Sequence, residues 1–149
     1  MIETVEESIS RGVEMPTRVQ FRFEKLTVWQ SARQLAGEIY RLTKSFPRDE
    51  AFGLTSQLRR AAVSISTNIA EGSGRNSDPD FAHFLEIAYG SAMEVASLLY
   101  IAADAETISV TTRDELLDQT SQVTAQINSL NKSLLVSRTK TPFARPSAS

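Results

Sequence analysis

Four stretches of this chain repeat their apolar residues at steps of three or four, and no stretch alternates them one by one. That period gathers apolar side chains on one stripe of a helix, whereas a half-buried strand needs a period of two. The stripes read Val28, Ala32, Leu35, Ile39, Leu42 and Phe46; then Leu54, Leu58, Ala61, Ile65 and Ile69. The third runs through Phe81, Leu85, Ala88, Ala92, Val95, Leu99 and Ala102. Leu116, Val123, Ile127, Leu130 and Leu134 form the fourth, a heptad seam interrupted at Thr120. A stripe must bury itself against another element, and only helices are on offer, so the fold class is all-α.

The punctuation between the stripes sets their ends. Thr27 followed by Gln30 has the form of a capping box, and Pro47 stops the first helix near Ser45. The second helix is expected from Gly53 to Glu71, with Gly72 and Gly74 supplying the left-handed geometry of a helix end. Ser77-Asp78-Pro79-Asp80 opens the third with a cap, a proline at the first turn and carboxylates at the positive end of the dipole. Thr112 with Glu115 is the corresponding start of the fourth. Links of roughly 4 to 8 residues favour antiparallel neighbours. An antiparallel up-down-up-down four-helix bundle over residues 21–137 follows, its longest helices about 25 residues and nearly 40 Å long. Residues 1–20 and 138–149 are polar or rich in Pro, Ser and Thr, and are read as mobile tails.

Several functions are set aside by what the chain lacks. With no cysteine there is no disulfide, thiolate metal site or cysteine nucleophile. The acidic start carries no continuous apolar run like a signal peptide, and no stretch reaches the roughly 20 apolar residues of a membrane span. A cytoplasmic location is expected, with no membrane partner. His83 is the lone histidine. Asp80, His83 and Glu86 share a face, but paired Glu-x-x-His motifs of carboxylate-bridged metal bundles are missing, so no metal, cofactor or small-molecule substrate is expected. Gly72-Ser73-Gly74 follows no strand and is not a phosphate loop, and no serine has a base beyond His83. Catalysis is not expected.

Charge and polarity point elsewhere. The net charge of −2 conceals a basic first helix (Lys25, Arg33, Arg41, Lys44 and Arg48 against Glu38) and an acidic third. From Asn76 to Ile108 there are Asp78, Asp80, Glu86, Glu94, Asp104 and Glu106 and no Lys or Arg. Arg33, Arg41, Lys44, Arg48, Arg59 and Arg60 are the candidate phosphate contacts for a nucleic acid. Trp29 and Tyr40 are spaced as amphipathic helix residues, with Trp29 suited to the core. In the second helix, Gln57, Arg60, Ser64, Asn68 and Glu71 form a polar line. They are either an interior or assembly network facing Glu94 of the next helix, with Arg60 as its counter-ion, or a solvated face. The third helix carries a second line, Ile87, Gly90, Glu94, Leu98 and Ile101, opposite its first. Apolar residues on both sides of a helix call for burial on both sides, and self-association would supply it.

Five motifs in order complete the reading: Phe23-Glu24-Lys25-Leu26-Thr27-Val28-Trp29-Gln30; Phe46-Pro47; Gln57 to Ile65; Asn68-Ile69-Ala70-Glu71-Gly72; and Ala88 to Glu94. Together they resemble the bacterial four helix bundle proteins of the 23S rRNA-intervening sequence family, over about residues 21–135. The family is also similar to the accessory variability determinant of diversity-generating retroelements, a basic pentamer that binds nucleic acid and partners a reverse transcriptase. The resemblance implies a homopentameric ring or barrel. It leaves two functions open: RNA binding through the basic face of the assembly, or a protein scaffold or adaptor without nucleic acid.

Overall fold

The computed structural model describes residues 18 and 20–139, so the tails expected at 1–20 and 138–149 lie largely outside the described residues. Helices α1 (Thr27–Thr43), α2 (Leu54–Ser73), α3 (Asp78–Asp104) and α4 (Val110–Thr139) account for most of the chain. Two 3₁₀ turns, Arg22–Lys25 and Arg48–Glu50, precede α1 and α2. Among the described residues α1 packs on α2 and α4, α2 on α3, and α3 on α4, with no diagonal packing. That closed cycle is a four-helix bundle, and its short links fit the up-down-up-down order.

All four stripes enter one core. Ala32, Leu35, Ile39, Leu58, Ile65, Ile69, Ala88, Val95, Leu99 and Val123 are fully enclosed. Thr120, the break in the α4 seam, is buried too, and its hydroxyl donates to the Leu116 carbonyl at 2.7 Å. The polar atom therefore costs the core little, because its hydrogen bond is made within its own helix.

Several helix ends differ from expectation. Leu26, not Thr27, precedes α1, and the Gln30 amide donates to the Glu24 carbonyl in the upstream turn. Residues 44–53, with their 3₁₀ turn, make a longer first link than expected. Gly72 lies inside α2 and Gly74 is right-handed. Gly72 is required for close approach instead: an added Cβ would sit 2.7 Å from Phe84 Cβ and 2.9 Å from Phe81 Cδ1. Ser77 caps α3 as expected, accepting from the Asp80 amide. At the far end of α3 a Schellman pattern closes the helix: Thr107 N–H bonds the Ala102 carbonyl and Glu106 N–H the Ala103 carbonyl. Glu106 takes the left-handed position at φ 59°. Ser109, rather than Thr112, caps α4, accepting from the Thr112 amide at 3.0 Å.

By length and composition alone α3 is apolar enough to cross a membrane, a test that the core helix of a bundle also passes.

Candidate nucleic-acid interface

The side of α1 that borders α2 carries aromatic rings and cations in alternation. Arg33 lies over the Trp29 ring, 5.5 Å from its centroid, and Arg59 of α2 lies over Tyr40 at 4.6 Å. Each guanidinium lies within cation–π range of its ring. Arg59 is the more committed of the two. Its Nε donates to Thr43 Oγ1 at 2.8 Å and a terminal nitrogen reaches the Tyr40 carbonyl at 3.5 Å. Thr43 is buried, so this contact ties α2 to the end of α1.

Arg41, Lys44 and Arg48 continue the charge toward the α1–α2 link. All three are exposed and form no ion pair with a described residue. Gly37 leaves room for the Arg41 guanidinium, whose nearer nitrogen lies 3.5 Å from where a Cβ would stand. Of the six candidate cations, Arg33, Arg41, Lys44 and Arg48 are exposed and form no ion pair with a described residue, whereas Arg59 joins α2 to α1. Arg60 is exposed and does not join them, since α-helical geometry turns it about 100° from Arg59.

An aromatic ladder extends this edge beyond the start of α1. Phe21 and Phe23 stack at 5.7 Å with planes 5° apart, and Phe23 tilts onto Trp29 at 4.8 Å. The spacing of Trp29 and Tyr40 alone did not announce a platform. The signal was Phe21-x-Phe23-x₅-Trp29 beside the basic helix.

The polar line on α2 divides. Ser64 and Ser91 share a hydroxyl hydrogen bond of 2.7 Å, and the Asn68 amide donates to the Ser64 carbonyl and hydroxyl at 2.8 and 3.0 Å. Ser91 therefore occupies the place expected of Glu94, one helical turn away on α3. Gln57, Arg60, Glu71 and Glu94 are exposed in the single chain, and no Arg60–Glu94 pair forms. Small hydroxyls let α2 and α3 approach closely, and the larger polar groups are excluded from that seam.

Outside the seam, α3 presents Ile87, Gly90, Glu94 and Ile101 to solvent at heptad spacing, with Val63 of α2 exposed as well. Leu98 departs from the expected line and is buried. Nothing lies within 4 Å of a Cβ placed on Gly90. Because α1 and α3 do not pack on each other, most of the acidic helix lies away from the basic edge.

Among the described residues no three His, Cys, Asp or Glu side chains come together, and the His83 ring packs edge-on against Phe84 at 6.0 Å.

A family model described as 23S rRNA-intervening sequence protein matches residues 24–129. The fold is similar to that of a protein of unknown function from the S23 ribosomal protein family of Bacteroides thetaiotaomicron, with a TM-score of 0.64 at 23% identity. That alignment covers 71% of this chain and 99% of the other. No curated protein matches the chain.

Proposed function

Because the chain belongs to the 23S rRNA-intervening sequence protein family, we propose that it is a non-enzymatic, homo-oligomeric cytoplasmic protein that binds structured RNA along the basic edge of α1. The observation that carries the reading is the cation–aromatic edge of Trp29, Arg33, Tyr40 and Arg59, continued by three exposed cations without an ion pair to a described residue. Phosphate binding rests on clustered cations and the release of counterions, and an oligomer would present the same modest patch several times to one RNA. A net charge of −2 does not oppose this, because charge is unevenly spread: Lys25 to Arg48 holds five cations against Glu38 alone, whereas α3 holds carboxylates and no Lys or Arg.

Self-association is supported by the outer face of α3. A glycine in the middle of a 27-residue helix costs about 1 kcal/mol relative to alanine, and nothing among the described residues requires one at Gly90. Close approach by another copy supplies a reason. Five subunits is the number implied by the family resemblance.

Charge reversal tests the RNA reading. The triple variant Arg41→Glu, Lys44→Glu, Arg48→Glu should keep its native mass and lose most affinity for a structured RNA. It should also flatten the dependence of log affinity on log salt by about 2 to 3. Unchanged affinity in that variant would refute the α1 edge as the RNA surface. A second reading, a protein adaptor, is favoured by Met93 and Tyr100, which lie exposed on acidic α3. A protein partner retained after nuclease treatment, with no RNA affinity in the purified protein, would decide for it.

A further inference from the structure

Phe21 sits at the free end of the aromatic ladder and is 61% exposed. Its backbone is nonetheless fixed. Phe21 N–H donates to Glu24 Oε2 at 2.7 Å, the Glu24 N–H returns a bond to the Phe21 carbonyl at 3.1 Å, and Arg18 donates to Glu24 Oε1 at 2.8 Å. The ring stacks, offset, on the nearly parallel Phe23 ring, which leans on Trp29, itself under Arg33. This arrangement holds an exposed, oriented aromatic surface at one end of the ladder and a cation at the other. Within the chain it is wasteful, since an exposed phenylalanine forgoes the burial that would stabilise the fold.

The surroundings specify what would cover it. Lys25, on the same turn, is exposed and has no ion pair with a described residue. Arg22 is also exposed, although it lies over Phe81 and donates to the Ser73 carbonyl at 3.3 Å. A flat π-system flanked by cations matches a nucleobase and its adjoining phosphates, because every base offers a π-face and every nucleotide a negative charge. Bases inside a duplex hide those faces in their own stack, so only an unpaired base can use the platform.

We propose that the outer face of Phe21 stacks on an unpaired nucleobase of RNA, whose neighbouring phosphates meet Lys25 and the α1 cations. The proposal rests on the reading of the α1 edge as an RNA surface and adds that the preferred RNA carries a single-stranded segment there.

Two fluorescently labelled strands test it: a dodecamer of uridylate, and a stable dodecamer of equal phosphate number in which every base is removed. The wild-type full chain is expected to bind the base-bearing strand roughly 5- to 150-fold more tightly, the range for one stacked base. Phe21→Ala should abolish that preference and Phe21→Trp should retain it. A 5-iodouridine strand should photocrosslink within the peptide that carries Phe21. If Phe21→Ala keeps the preference, or the wild type binds both strands equally, the platform is refuted while the basic edge stands. If neither strand binds at any salt concentration, the platform is refuted, and the basic edge is then judged separately by the affinity of the wild-type chain for a structured RNA.

Discussion

At the scale of single residues, structure separates uses that share a letter. Gly72 and Gly74 both read as helix stops, but Gly72 is in α2 because the first two aromatic residues of α3 pack against its missing side chain. Gly72→Ala should therefore lower unfolding free energy by about 1 to 3 kcal/mol in urea denaturation, the usual cost of overpacking. Glu106 presents the reverse case: the left-handed position of a Schellman motif held by a residue with a Cβ. Glu106→Gly should raise stability by about 1 kcal/mol. No glycine marked that end of α3, so this motif was not legible. Thr112 with Glu115 reads as the cap of α4, but Ser109 takes that place, because the tight exit of α3 starts the helix three residues earlier. Glu24 predicts a pH effect. The hydrogen bond from Arg18, and then that from the Phe21 amide, hold its carboxyl below the ordinary carboxylate range. A depressed folded value means that the contribution is present above the unfolded value and lost as pH falls through the folded one. The Phe21 amide should thus stay protected near neutrality and lose protection only in acid, as amide exchange by NMR would read.

At the scale of helices, α3 was the most informative element in the sequence and keeps that place in the structure. Its two-faced character was legible because heptad spacing puts Ile87, Glu94 and Ile101 on one line, and these residues are exposed in the single chain. Leu98 and the Ser64–Ser91 bond were not legible. Both depend on how far α3 rolls toward α2, which is set by the small side chains between them. Gly90→Leu should leave far-ultraviolet helix content unchanged and reduce native mass. An unchanged mass would remove the self-association face. Arg59 belongs to this scale as well. Read from the sequence as a phosphate ligand, it joins α1 to α2 through Thr43, so Arg59→Ala should cost about 1 to 2 kcal/mol of stability even without RNA.

At the scale of the molecule, four periodic stripes and their short links were enough to specify an all-α bundle, because no other architecture buries four such faces at once. Segregation of charge between the first and third helices was also legible. Its spatial meaning required the packing cycle, in which α1 and α3 are not neighbours. The central claim joins these levels: an assembled bundle that offers repeated basic edges to RNA. Light scattering on nuclease-treated protein, across a salt series and with and without a structured RNA, tests it most directly. A salt-stable mass near five times the 16.5 kDa protomer is expected, with an RNA complex that forms at low salt and dissociates as salt rises. A monomer under all conditions, or an oligomer whose mass RNA never changes, would contradict it.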